Sequence, residues 1–230
     1  MEGFFSIGRL VGNIPALLKS LPVTFEIVAV ATLFGVALAI LLALARIKKV
    51  PVLSQLALVF ISFIRGTPLL VQMFIVYYGM PILLWNVFRV DVNGWQRLTF
   101  VMITYSLNQG GFMAEIFRSA IESVPASQTE AAYSVGLSGA QTFLRIVLPQ
   151  AVRTAIPSFS VNLVSLFQDT SLAFMLGVVD VMGRAELIQS ATHHVLECYV
   201  IITVIFIVIS IALRMFFIYL DKRLQYGRTV

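Results

Sequence analysis

A chain of 230 residues in which 59% are hydrophobic and only 12% charged has too few charges to clothe a water-facing surface, which excludes an ordinary soluble domain. Its one cysteine, Cys198, excludes an internal disulfide framework and offers no metal-ligand cluster, so no metal or cofactor is expected. The net charge of +5 could suit nucleic acid, but basic residues in the cytoplasmic loops of a lipid-embedded chain account for it more simply, and no nucleic-acid partner is expected.

In lipid every backbone amide must be satisfied within the structure, which leaves helix bundles or closed barrels. The alternation that a barrel needs is absent, and about 20 apolar residues in a row cross a bilayer as a helix. The composition therefore predicts an all-α, polytopic membrane protein with five transmembrane helices. The N-terminal stretch, with Glu2 and scattered polar residues before Leu21, does not read as a cleaved leader; the first membrane helix is expected to insert as its own signal. That helix covers residues 22–45 and stops at Arg46, Lys48 and Lys49. The second lies within 52–84 and is interrupted by Pro68. The third covers 98–117, the fourth 156–179, and the fifth 195–220, ending at Asp221, Lys222 and Arg223.

Counting Lys and Arg by loop sets the orientation. Arg46, Lys48, Lys49, Arg118, Arg145, Arg153, Arg214, Lys222, Arg223 and Arg228 share one side, against Arg9, Lys19, Arg89, Arg97 and Arg184 on the other. The richer side belongs in the cytoplasm, so the N-terminus is expected outside and the C-terminus inside. Trp85 and Trp95 bracket the external loop between spans two and three, where interfacial aromatics belong.

The longest cytoplasmic connection, residues 118–155, is patterned like structure rather than linker. Ser123 suits an N-cap, Pro125 a first helical turn and Gly136 a helix C-terminus. Ser138 with Gln141 three residues on has the pattern of a capping box, and Leu144, Ile146 and Val147 follow before Pro149 interrupts. The pattern predicts two short helices joined by a glycine turn, shaped to be touched by a partner.

Within that segment stand Glu130, Ala131 and Ala132, then Gly136, then Ile146, Leu148 and Pro149. This resembles the EAA motif of ABC importer permeases, with every fixed position matched over 20 residues. The likeness covers nearly the whole chain. Residues 65–72, RGTPLLVQ, together with Ala114-Glu115-Ile116-Phe117-Arg118, Leu148-Pro149-Gln150-Ala151 and Asp169-Thr170-Ser171-Leu172, are similar to segments of the polar amino acid uptake permeases for histidine, glutamine, arginine or cystine. Gln168 stands where that family leads one to expect lysine, and Gly111-Phe112-Met113 replaces a more usual Ala-Tyr pattern.

The resemblance implies a type I ABC importer permease fold in the bacterial plasma (inner) membrane. It makes residues 123–149 a coupling hairpin seated in a cleft of an ATPase subunit. It further implies two ATPase subunits, a second permease subunit (a copy or close paralogue), an extracytoplasmic substrate-binding protein, an amino acid substrate and surrounding lipid. The chain itself is not expected to be an enzyme. Leu137-Ser138-Gly139-Ala140-Gln141 resembles the ABC ATPase signature, but no G-x-x-x-x-G-K-[ST] loop occurs to cradle phosphates, and the pentapeptide reads as turn and cap.

Ionisable and amide groups at membrane depth are costly, which makes each a functional candidate. Asp169, flanked by Gln168, Thr170 and Ser171 with Asn162 two turns earlier, could pair a substrate ammonium; equally it could tie two helices together. Asn108 and Gln109 are candidates for lining a cavity or for bonding helices, whereas Gly110 and Gly111 suit close packing. Gln72 and Thr67 complete the candidate pathway set. Arg65 either lies deep in span two or snorkels from a segment along the cytoplasmic interface, with a structural role near an intracellular gate favoured. Glu115 is placed to pair with Arg118 at i,i+3. His193 and His194 fall in an external loop with Glu197, without ligand spacing, and read as solvated. A gradient-driven transporter or channel would also explain intramembrane charges, but it leaves the EAA pattern unexplained and should show an inverted repeat, which is not evident. A membrane enzyme lacks any H-E-x-x-H or G-x-S-x-G motif.

Overall fold

Residues 5–225 are described by the computed structural model, and among them no strand occurs. Arg228 and Glu2, which enter the reading of orientation and of the N-terminus, lie outside the described residues. Eleven α-helical segments follow one another: α1 (Ile7–Leu18), α2 (Leu21–Ile47), α3 (Leu53–Gly66), α4 (Leu69–Phe74), α5 (Met80–Phe88), α6 (Arg97–Glu122), α7 (Ala126–Ser134), α8 (Gly139–Thr142), α9 (Leu148–Asp169), α10 (Val181–Thr192) and α11 (Val195–Gln225). A π turn, Ile75–Gly79, joins α4 to α5, another, Phe143–Val147, joins α8 to α9, and a 3₁₀ turn, Thr170–Leu176, follows α9.

Among the described residues, four stretches are long and apolar enough to cross a membrane: Leu21–Ile47, Leu69–Phe88, Gly139–Leu176 and Val195–Leu224. The remaining expected span, the third, corresponds to α6, 26 residues and therefore ~39 Å long at 1.5 Å per residue. Its centre is polar because it is enclosed by α2, α3, α4 and α9, so lipid never demands an apolar coat of it. The α2–α6 contact is the most extensive of the bundle. Ile27, Ala31, Gly35, Ala39 and Ala43 recur every fourth residue along the buried face of α2, a small-residue seam that brings backbones together. On α6 a Cβ at Gly110 would stand 2.5 Å from Leu38, and one at Gly111 would stand 2.5 Å from Ile64. Both glycines therefore serve packing.

The second span is corrected in its bounds. Thr67 and Pro68 are extended, so α3 ends at Gly66 and a separate crossing helix runs from Leu69 to Phe88, four residues past the expected end. At 14 residues, ~21 Å, α3 alone is short of the ~30 Å hydrocarbon core. The fourth span begins much earlier than residue 156, because the helix leaves the hairpin without a break at Gly139.

Two helices, α1 and α10, have no counterpart among the expected elements. They pack on α11 around Leu17, Val181, Ala185, Cys198, Ile201 and Ile202. Glu197 is corrected with them: it lies in α11, is 1% exposed, and accepts the Ser6 N–H at 2.9 Å with Arg9 4.0 Å away. An amide at the start of α1 replaces the water a loop would have supplied. Asp180 caps α10, its Oδ1 accepting the Gly183 N–H at 2.8 Å. It is fully buried and its Oδ2 has no partner. Burial pushes its carboxyl up to about 6, against the pull of the backbone N–H groups of Gly183 and Met182.

Candidate functional site

The segment 123–149 folds as a protruding hairpin. Ser123 is corrected: it closes α6, its hydroxyl donating to the Ala120 carbonyl at 2.7 Å, and α7 starts only at Ala126, after Pro125. Proline disfavours α geometry at the residue before it, so the chain leaves α6 before α7 can begin. The turn after α7 is a Schellman motif. Gly136 sits at φ +81°, the Leu137 N–H reaches the Ala132 carbonyl at 3.1 Å, and the Gly136 N–H reaches that of Tyr133 at 3.0 Å. The capping box then forms in full: Ser138 N–H to Gln141 Oε1 at 2.9 Å, and Gln141 N–H to Ser138 Oγ at 3.3 Å.

Glu130, Ala131 and Gly136 are exposed on this hairpin, while Ala132 is buried beneath it. Ile146 is half-buried in the π turn, and Leu148 and Pro149 begin α9 directly after it. Leu148 donates to Phe143, five residues back, and this wider turn moves the backbone away from the ring of Pro149. Tyr133 and Val135, absent from the sequence-based expectations, are 53% and 76% exposed at the turn. Apolar residues in and beside a nine-residue helix too short to hide them were the available signal. At the root of the hairpin Arg46 Nη1 meets Glu115 Oε2 at 2.5 Å, and Arg118 bridges Glu115 and Glu122, binding the ends of α2 and α6 together.

The candidate pathway residues divide into three groups. Asn108, Gln109, Asn162 and Asp169 line one cleft of about 520 Å³ between α6 and α9, with Phe112 and Ser165 among its walls. Gln109 is 2% exposed and its Oε1 has no partner; Asn162 Oδ1 has none either. The Asp169 carboxylate has no partner among the described residues, although its backbone carbonyl accepts from Tyr105 Oη at 2.6 Å. The cleft thus carries one carboxylate without a partner, beside amides whose own oxygens are buried in its wall. Gln72 and Thr67 form the second group and do not line the cleft. Gln72 Nε2 donates to the carbonyls of Ile64 and Thr67 and to Thr67 Oγ1, and its Oε1 accepts Asn108 Nδ2 at 2.9 Å. Gln168 stands apart on another side of α9, where it donates to Ser210 Oγ at 3.3 Å. Adjacent helical residues point about 100° apart, so Gln168 and Asp169 do not serve one cavity.

A bundle of apolar helices with an open cleft bearing amides and a carboxylate, and a capped hairpin at one end, has the make-up of a multi-pass membrane protein. Residues 35–226 match the binding-protein-dependent transport system inner membrane component family, and the chain belongs to that family. It is 41% identical over 229 residues to the L-cystine transport system permease protein TcyL of Bacillus subtilis (strain 168), covering 100% of this chain and 95% of that one. It is 32% identical over 201 residues to the arginine transport system permease protein ArtQ of the same organism, covering 87% and 89%. The solved amino acid ABC transporter with histidines shares its fold with a TM-score of 0.84 and 26% identity, over 95% of this chain and 99% of that one. The MetNI methionine ABC transporter, at 13% identity and a TM-score of 0.67, adds likeness of fold. The chain therefore has the type I ABC importer permease fold and resides in the bacterial inner membrane.

Proposed function

We propose that this chain is the membrane-spanning subunit of an ATP-driven importer for polar amino acids. Two such subunits, copies or close paralogues, form the pathway, and each receives an ATPase subunit on residues 123–149. An external binding protein delivers substrate, and hydrolysis occurs only in the ATPase partners. The N-terminus lies outside and the C-terminus in the cytoplasm. The hairpin carries this reading: Glu130, Ala131 and Gly136 stand exposed on a turn locked by a Schellman motif and a capping box, continuous with the helix that bears Asp169. Ala132, Ile146, Leu148 and Pro149 hold that shape from below. Motion of the ATPase dimer enters here and travels along the helix to the cleft.

The cleft supports an amino acid as cargo. Asp169 brings it a carboxylate, which is what an ammonium requires, and the amide and hydroxyl side chains of the same lining offer donors to a carboxylate. Relatives named for cystine and arginine transport support the same class. The test is uptake by the complete complex in proteoliposomes with a panel of amino acids. ATP-dependent uptake of a polar amino acid is expected, reduced at least tenfold in Asp169→Asn and abolished when Glu130 and Gly136 are both replaced. Uphill transport without ATPase subunits would overturn the reading.

A further inference from the structure

The first helix, α1, is divided lengthwise into three sectors. Leu10, Ile14 and Leu17 share one face and pack on α10 and α11. Ile7, Val11, Pro15 and Leu18 form the neighbouring stripe at helical spacing, and it stays uncovered: Ile7 is 73% exposed and Val11 58%. Gly8, Arg9, Gly12 and Asn13 hold the third sector, where a Cβ at Gly12 would meet nothing within 4 Å.

Three contacts fix how this helix lies. The Ser6 N–H reaches Glu197 at 2.9 Å, Arg9 Nη1 stands 4.0 Å from the same carboxylate, and Asn13 Nδ2 donates to Cys198 Sγ at 3.8 Å. Ser6 to Asn13 covers ~10 Å of helix axis, yet the partners are adjacent residues at the start of α11. So α1 crosses α11 steeply instead of running beside it. Its 12 residues, ~18 Å, are also too short for the ~30 Å hydrocarbon core. With α11 spanning the membrane, α1 lies along the surface at the N-terminal end of α11. Glu197, Ile201, Val204, Val208, Ile211 and Met215 follow one stripe down α11, the first two buried where α1 packs and the other four exposed. The apolar face that α11 offers to lipid thus begins where α1 ends.

We propose that α1 is an interfacial membrane anchor. Its stripe of Ile7, Val11 and Leu18 is embedded in the phospholipid leaflet at the N-terminal end of α11, and Glu197 ties it to that end. A helix with a packed side, an apolar side and a polar side fits the one place where protein, acyl chains and water meet. A second copy of the chain seated there would leave the polar sector without a purpose, and water would not select four apolar residues. Lys19, exposed at the end of α1, adds a positive charge suited to headgroup phosphates. The anchor holds the depth of α11 in the bilayer whichever solute the chain carries.

The experiment is tryptophan fluorescence of the full-length permease in phosphatidylcholine nanodiscs, with Trp85→Phe and Trp95→Phe removing the native signal. Val11→Trp and Gly12→Trp are compared, each at an unchanged melting temperature. Lipid brominated near the headgroup end of its chains should quench Val11→Trp about twofold or more beyond Gly12→Trp, and aqueous iodide should reverse the order. Equal quenching of both positions by lipid, or of both by iodide, overturns the anchor. Stronger quenching of Val11→Trp by lipid brominated at the methyl end would put α1 inside the hydrocarbon and overturn it too. So would a Val11→Cys permease whose two copies become disulfide-linked in one nanodisc, which would assign the stripe to a contact between subunits.

Discussion

Gln72 Nε2 lies 2.8 Å from the carbonyl oxygen of Ile64, the acceptor four residues before Pro68. α3 ends at Gly66 and the chain is extended at Thr67 and Pro68, so no backbone N–H reaches that carbonyl and a side chain of the following helix supplies the bond. The same amide reaches the Thr67 carbonyl at 3.0 Å and Thr67 Oγ1 at 2.9 Å, while its oxygen accepts Asn108 Nδ2. The break in the second span is thus a repaired joint, anchored to the central helix.

The repair can be measured. Gln72→Leu leaves the Ile64 carbonyl and the Asn108 amide unpaired in the bundle interior, which should destabilise the protein by about 1–3 kcal/mol. Asn108→Leu removes the donor to the Gln72 oxygen, so the double variant Gln72→Leu/Asn108→Leu should lose less than the sum of the two single changes. Thermal unfolding of the four proteins in one detergent gives the coupling between the two sites. Additive effects would show that the two amides do not depend on each other.

Gly136 makes a separate prediction about the hairpin. Its φ of +81° is a left-handed conformation that costs other residues about 1–2 kcal/mol, more for a β-branched one. Gly136→Val should therefore misdirect the turn between α7 and α8 while sparing the distant bundle. In the complete complex, uptake should fall at least tenfold with the melting temperature of the permease nearly unchanged. Gly136→Asn, which tolerates this conformation, should retain most uptake. Equal transport by the Val variant would remove the turn from the coupling route.

Val135 is 76% exposed and Tyr133 is 53% exposed beside that turn, a pair of apolar contacts looking for a socket. Replacing Val135 by Asp removes nothing from the folded core, so stability should stay within about 0.5 kcal/mol. Co-purification with the ATPase subunit should nevertheless drop about tenfold or more, because a carboxylate would have to be desolvated on docking. Undiminished association would place the contact elsewhere on the hairpin.

What was legible in the chain followed short-range rules. The capping box at Ser138 and Gln141, the αL glycine at 136 and the apolar lengths of the spans are local, and each appears where local chemistry put it. Ser123 misled because it lies between two helices and its hydroxyl serves the one behind it. Glu197 misled for a different reason: its partners, Ser6 and Arg9, are nearly two hundred residues away in sequence. The cleft was half legible. Asn108, Gln109, Asn162 and Asp169 stand out in the sequence as polar groups at membrane depth. Helix phase then decides that Gln168 faces α11, and the carbonyls left without donors at the end of α3 decide that Gln72 and Thr67 serve the joint.

Asp180 supplies a prediction about pH. Its carboxyl is raised from 3.8 to about 6 by burial at the start of α10, with Oδ1 on the Gly183 N–H and Oδ2 unpartnered. The protonated form fits this pocket better than the anion. Its contribution to stability is accordingly complete below the unfolded value of 3.8 and is lost as pH rises through about 6. A rise of that size is worth at most about 3 kcal/mol between pH 4 and pH 8. Asp180→Asn keeps the acceptor that caps α10 and removes the charge, so it should be the more stable protein at pH 8 and close to wild type only at about pH 4 and below. Titration of every other group is common to both proteins and cancels in the difference between their melting curves. Parallel curves across that range would mean that the buried carboxylate finds a partner after all, and the cap at α10 would then owe nothing to protonation.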